Sequence, residues 1–112
     1  MRGVDVRLLV SDWAIKGKKG ESLKKLKQNG VQVRYASIPE HSSGKIPFAR
    51  TIHSKLLTID DQKCWLGTSN WSKDYFTTSR NVGILILNPK DCLSLSKQFN
   101  RLYIDTWSQN LP

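Results

Sequence analysis

Residues 53 to 70 read HSKLLTIDDQKCWLGTSN, and several of their side chains could act on a single phosphate. His53 stands two residues before Lys55, Asp60 follows after four more, and six further residues lead to Gly67-Thr68-Ser69-Asn70. Breaking a phosphodiester requires a nucleophile, an acid for the departing oxygen, and positive charge around the phosphoryl oxygens. An imidazole can form a covalent phospho-intermediate or exchange a proton near neutral pH, which suits His53 to either of the first two tasks. Lys55 offers a point charge with three donors. Asn70 adds a neutral amide donor, and Gly67 gives the backbone freedom to turn that amide inward. Asp60 is harder to assign, because a carboxylate beside a bound phosphate would repel it. It fits either an orienting role or a plain hairpin turn ahead of Asp61. The alternative for His53 and Lys55 is an exposed polar strand face, but at ordinary residue frequencies the whole pattern arises by chance about once in a million such chains.

The elements that must position these residues can be read from periodicity. The runs 49–60 and 62–69 are β-rich and flank the acidic pair Asp60-Asp61, so they are expected to form a hairpin. Alternation along the first run puts His53 and Lys55 on one face. Upstream, 4–10 (VDVRLLV) reads as a strand and 16–20 (KGKKG) as a basic loop. Residues 21–30 (ESLKKLKQNG) read as a short helix with Leu23 and Leu26 inward, Lys24, Lys25 and Lys27 on a solvated face, and Gly30 as its stop. Residues 31–36 are a second strand, giving a βαβ crossover and a parallel pair. A loop over 37–47 carries His41. The apolar run 81–87 is expected as a strand inside a covered sheet, and the last helix starts near Asp91, with Leu95, Phe99, Leu102 and Tyr103 at helical spacing. The order is β-α-β-β-β-β-α.

The His53-x-Lys55, Asp60, Gly67-Thr-x-Asn70 pattern resembles the HKD signature of the phospholipase D superfamily. GTSNWSKDYF (67–76) and FNRLYIDTW (99–107) are similar to the branch holding lysosomal single-strand exonucleases and poxvirus phospholipase-D-like proteins. The resemblance covers essentially the whole chain and matches the C-terminal half of a two-motif member. It implies an α/β fold of the phospholipase D type, a mixed or parallel sheet flanked by helices. It also implies a metal-independent, cofactor-free phosphodiesterase working through a phosphohistidine. His53 would be nucleophile or acid, and Lys55 and Asn70 would hold phosphate. Many superfamily members carry Asn-x-Glu where this chain has Asn81-Val82-Gly83, which leaves the orienting partner of His53 open; the exonuclease-like branch also tends to lack that glutamate.

One histidine cannot serve comfortably on both sides of one phosphorus, and the family uses two HKD motifs. The other histidine, His41, has no lysine two residues on. The expectation is therefore a single half-domain over 1–112, incomplete at its N-terminus, since the chain starts where the family has normally finished its first helix. A second half would come by homodimerisation or from a complementary chain. The alternative is a catalytically inactive half-domain that binds anions or pairs with a related chain.

Composition points to the class of partner. Eighteen basic residues against nine acidic give a net charge of +9, which either favours polyanions or anionic lipid headgroups or is simply a basic solvated surface. With the resemblance, the substrate partner is expected to be a phospholipid or single-stranded nucleic acid. Trp71, Tyr75 and Phe76 follow the motif directly; they could stack bases, line a channel for an acyl chain, or simply pack. Cys64 and Cys92 lie 28 positions apart outside any CxxC pair, so they suggest buried thiols, or a bridge, rather than zinc ligands. No run approaches the roughly 18 apolar residues of a membrane span, and the opening MRGVDVRLLVSDW lacks the features of a signal peptide. None of this assigns a compartment.

Overall fold

The computed structural model describes residues 3–47 and 49–112. It contains the α/β alternation expected from the sequence, arranged as two three-stranded sheets. The trace divides into two compact units, residues 1–52 with 102–112, and residues 53–101.

The first unit is built on β1 (Arg7–Ser11) and β2 (Gln32–Ala36), which pair in parallel from Arg7 opposite Gln32 to Ser11 opposite Ala36. Between them run a 3-10 turn (Asp12–Ile15) and helix α1 (Gly17–Gln28). The helix starts four residues earlier than its apolar spacing indicates, so residues 17–20 are its first turn and not a basic loop. Gly20 explains the difference. A side chain there would run into the Ile15 carbonyl, so glycine marks a close approach of helix to turn instead of a break. Leu23, Val33 and Leu111 form the buried centre, with Leu8, Val10, Ile15 and Tyr35 packed around it. A short strand that periodicity does not reveal, β6 (Ser108–Asn110), joins β2 antiparallel and brings Leu111 into that core.

The second unit is an antiparallel sheet in the order β3 (Lys55–Ile59), β4 (Lys63–Gly67), β5 (Gly83–Ile86). Helix α2 (Lys73–Thr77) fills the connection from β4 to β5, and helix α3 (Pro89–Ile104) follows β5. The hairpin turn holds Asp60 and Asp61 at φ +51° and +56°, a conformation that aspartate tolerates better than most side chains. The expected strand over 49–60 is limited to Lys55–Ile59, so His53 precedes it. Residues 81–87 depart from expectation in burial. Ile84 and Leu85, which point to opposite faces, are 59% and 65% exposed, so neither face of this edge strand is covered at those positions. Among the described residues no helix is long and apolar enough to cross a membrane.

Candidate active site

The register of the β3–β4 hairpin decides which motif residues meet. Lys55, the first residue of β3, lies opposite Gly67, the last of β4. His53 enters the hairpin and Asn70 leaves it at this same end. Gly83, opposite Gly67, starts β5 there too. His53, Lys55, Gly67 and Asn70 thus lie toward one end of one sheet, within one compact unit.

His53 is exposed, and its backbone carbonyl accepts a 2.7 Å hydrogen bond from Lys55 Nζ. Lys55 is half-buried, and burial pushes its ammonium below the ordinary lysine range. A partly desolvated cation, held beside the histidine, interacts more strongly with a phosphate than one free in water. Asn70 is also half-buried, in the turn between β4 and α2.

That turn is clamped to the start of β5. Thr68 Oγ1 donates to Asn81 Oδ1 at 3.0 Å and accepts from the Val82 N–H at 3.1 Å, while the Thr68 N–H bonds the Val82 carbonyl. Asn81 Nδ2 in turn donates to the Tyr75 carbonyl in α2 at 2.8 Å. Thr68 and Asn81 therefore set the path of the loop that carries Asn70. Composition gave no hint of either role; only the paired ends of β4 and β5 reveal them.

Asp60 is not brought to this end. It sits in the exposed hairpin turn beyond Ile59, five residues and so roughly 16 Å along the strand from Lys55. Its backbone is left-handed, as is that of Asp61, a conformation that suits a turn.

The aromatic residues divide. Trp71 and Phe76, 61% and 62% exposed, line an open cleft of about 460 Å³ together with Trp65, Ser72 and Lys73. Tyr75 is half-buried and does not line it. Trp65, which spacing did not single out, is central: its ring meets Trp71 edge-on, with centroids 6.1 Å apart and planes at 68°. Its indole also lies across the glycine pair of β4 and β5. A Cβ on Gly83 would come within 2.5 Å of Trp65 Nε1, and one on Gly67 would overlap the six-membered part of the ring. Gly67 has no left-handed φ, so its contribution is space for the indole, not a turn. The same ring accounts for glycine at position 83, where many members of the superfamily carry glutamate. The signal was present in the sequence as parity, since Trp65, Gly67 and Lys55 share one face of the hairpin.

His41 forms a local turn, its Nδ1 within 2.7 Å of Ser43 Oγ and its backbone bridged to Gly44. Among the described residues, no group of three or more His, Cys, Asp or Glu side chains could hold a metal ion.

A chain that carries a parallel βαβ unit and a small antiparallel sheet with a histidine, a lysine and an asparagine toward one end has the elements of a phospholipase-D-like module. The comparisons agree with it. A family model described as "Cardiolipin synthase, PLD-like domain" matches residues 1–103, and the chain belongs to that phospholipase-D-like family. It is 32% identical over 124 residues to a probable phospholipase D of Caenorhabditis elegans, covering 98% of this chain and 22% of that protein. Against the 5'-3' exonuclease PLD3 of Macaca fascicularis the figures are 33% identity, 95% of this chain and 23% of the relative. The virion nicking-joining enzyme of vaccinia virus is 29% identical over 96% of this chain and 26% of its own length. The chain thus spans about a quarter of these curated relatives. In fold it is similar to the phospholipase D family member Nuc of Salmonella typhimurium, with a TM-score of 0.75 at 19% identity, covering 97% of this chain and 65% of that one.

Proposed function

We propose that the chain is one half of a phosphodiesterase site, completed by a second HKD half from another copy or from a complementary chain. The observation that carries this reading is the hairpin end at which His53, Lys55 and the turn bearing Asn70 are gathered. In the reaction, an imidazole nitrogen of His53 attacks phosphorus and forms a phosphohistidine. The histidine of the second half protonates the leaving oxygen and then activates the water that releases the phosphate. Equivalently, His53 takes the acid role and its counterpart the nucleophile's. Lys55 and Asn70 neutralise and orient the non-bridging oxygens.

Among substrates, single-stranded nucleic acid is the favoured reading. Trp71 and Phe76 present exposed rings next to Lys73, a combination that stacks bases and contacts the backbone. The named exonuclease and nicking-joining relatives support it, while the named phospholipases D keep a phospholipid as the competing substrate.

The test is turnover of bis(p-nitrophenyl) phosphate and of a labelled single-stranded oligonucleotide by the purified chain, with oligomeric state measured by sedimentation. Turnover by an assembled species, abolished in His53→Asn, is the expected result. Equal turnover by wild type and His53→Asn overturns the proposal. A folded dimer that binds the oligonucleotide but cleaves nothing points instead to an inactive, anion-binding half-domain. Cleavage of phosphatidylcholine vesicles with no action on the oligonucleotide moves the substrate to lipid.

A further inference from the structure

Cys64 and Cys92 are the only cysteines of the chain, and the phosphodiester chemistry uses neither. Cys64 is on β4, on the face of the sheet opposite Trp65, and Cys92 is in the first turn of α3. They are 1% and 0% exposed, with their sulfurs 2.6 Å apart, closer than two unbonded sulfurs pack comfortably. The Cys92 thiol also points at the Ile86 carbonyl of β5, 3.4 Å away, so the sulfur is aimed into the seam between sheet and helix. Two buried thiols in direct contact across such a seam meet the first requirement of a covalent bridge between the two elements, sulfurs within reach of each other.

We propose that Cys64 and Cys92 form a disulfide that fastens β4 to α3 when the chain folds in the presence of a disulfide oxidant. The oxidant is a small-molecule or protein disulfide. The Cys64 thiolate attacks it, forming a mixed disulfide and expelling one thiolate; the Cys92 thiolate then attacks the Cys64 sulfur and expels the second. The oxidant accepts two electrons, and the protons of the two cysteines end on the two released thiols. This exchange takes place during folding, before α3 docks, because both sulfurs are inaccessible afterwards. Burial and the neighbouring Cys64 sulfur also push the Cys92 thiol up to about 11, so in the folded reduced protein it is not an attacking thiolate.

The bridge encloses the segment that matters for the site. The 28-position loop from 64 to 92 contains Thr68, Asn70, Trp71, Phe76 and Asn81. Tying both ends together reduces the freedom of that loop in the unfolded chain and limits local opening of the exposed edge strand β5. The inference is independent of whether the chain cleaves phosphodiesters.

The test compares the unaltered chain refolded with oxidised and reduced glutathione against the same chain kept in dithiothreitol. Each is unfolded in guanidinium containing an alkylating agent and analysed by mass spectrometry. The expected result is no alkylation after oxidative refolding, and a peptide pair joining Cys64 to Cys92 in a monomer. Oxidation is further expected to raise the melting midpoint by several degrees and to slow amide exchange over residues 68–86. The Cys64→Ala/Cys92→Ala variant should melt identically with and without dithiothreitol. Two free thiols after oxidative refolding, or bridges only between chains, overturn the proposal without recourse to any variant. A bridge that changes neither melting nor exchange overturns its fastening role.

Discussion

Replacing Gly83 by alanine tests whether Trp65 is what excludes a side chain, including the glutamate common in the superfamily, from that position. The added Cβ would fall 2.5 Å from Trp65 Nε1 and 3.0 Å from Cε2, so the indole must shift. Overpacking of this kind costs about 1–3 kcal/mol, offset by the ~0.5–1 kcal/mol that alanine gains over glycine in the unfolded chain and the strand. The expected net destabilisation is ~0.5–2 kcal/mol. In a Trp65→Ala background the space is open, and Gly83→Ala should be neutral or stabilising by ~0.5–1 kcal/mol. The two substitutions should therefore couple by about 1–3 kcal/mol. Urea unfolding followed by far-ultraviolet circular dichroism reads both legs; at a slope of about 1–1.5 kcal/mol/M, the single variant shifts the midpoint by roughly 0.3–2 M. An equal cost of Gly83→Ala with and without Trp65 would refute the packing argument. Gly67→Ala should behave the same way with a larger loss, since its Cβ would overlap two ring atoms, Cζ2 and Cη2.

Four further outcomes follow from the site and its supports. On the proposed mechanism Lys55→Ala should lower turnover about 10²–10³-fold with little effect on folding, since it would remove the cation assigned there to the phosphoryl oxygens; activity assays paired with thermal melts check this. Thr68→Val deletes the hydroxyl that joins Asn81 Oδ1 to the Val82 N–H and should cost about 1 kcal/mol in urea unfolding. Oligonucleotide binding should weaken with salt, and Lys73→Ala should flatten the log–log slope by ~0.7, one backbone phosphate's share; an unchanged slope would remove Lys73 from the interface. For the reduced protein, stability should be full below about pH 8.5, where unfolded thiols titrate, and should decline as pH rises toward the folded Cys92 value of about 11. Across that window the unfolded chain releases a proton that the folded one retains, so Cys92→Ala should flatten that part of the pH–stability curve.

Much was legible from the sequence alone. His53, Lys55 and Asn70 stand out as candidates by residue type and spacing, because the chemistry of phosphate tolerates few substitutes, whereas Asp60 stands open between an orienting role and a turn. The parallel β1–β2 pair follows from alternation and the intervening helical run, and even the face shared by Lys55, Gly67 and Trp65 is implied by hairpin parity. What the tertiary structure decided was where those residues go. It placed His53 before β3 and left Asp60 at the far turn, because the length and register of a strand are fixed by its neighbour and not by its own pattern. It made 81–87 an exposed edge, since an apolar run reads the same whether one or two strands flank it. It turned residues 17–20 into the first turn of α1, because Gly20 is required for a contact with Ile15 that no local pattern contains. Meetings across long stretches of chain, such as Cys64 with Cys92 and Trp65 with Gly83, depend on how elements pack, and that information exists only in three dimensions.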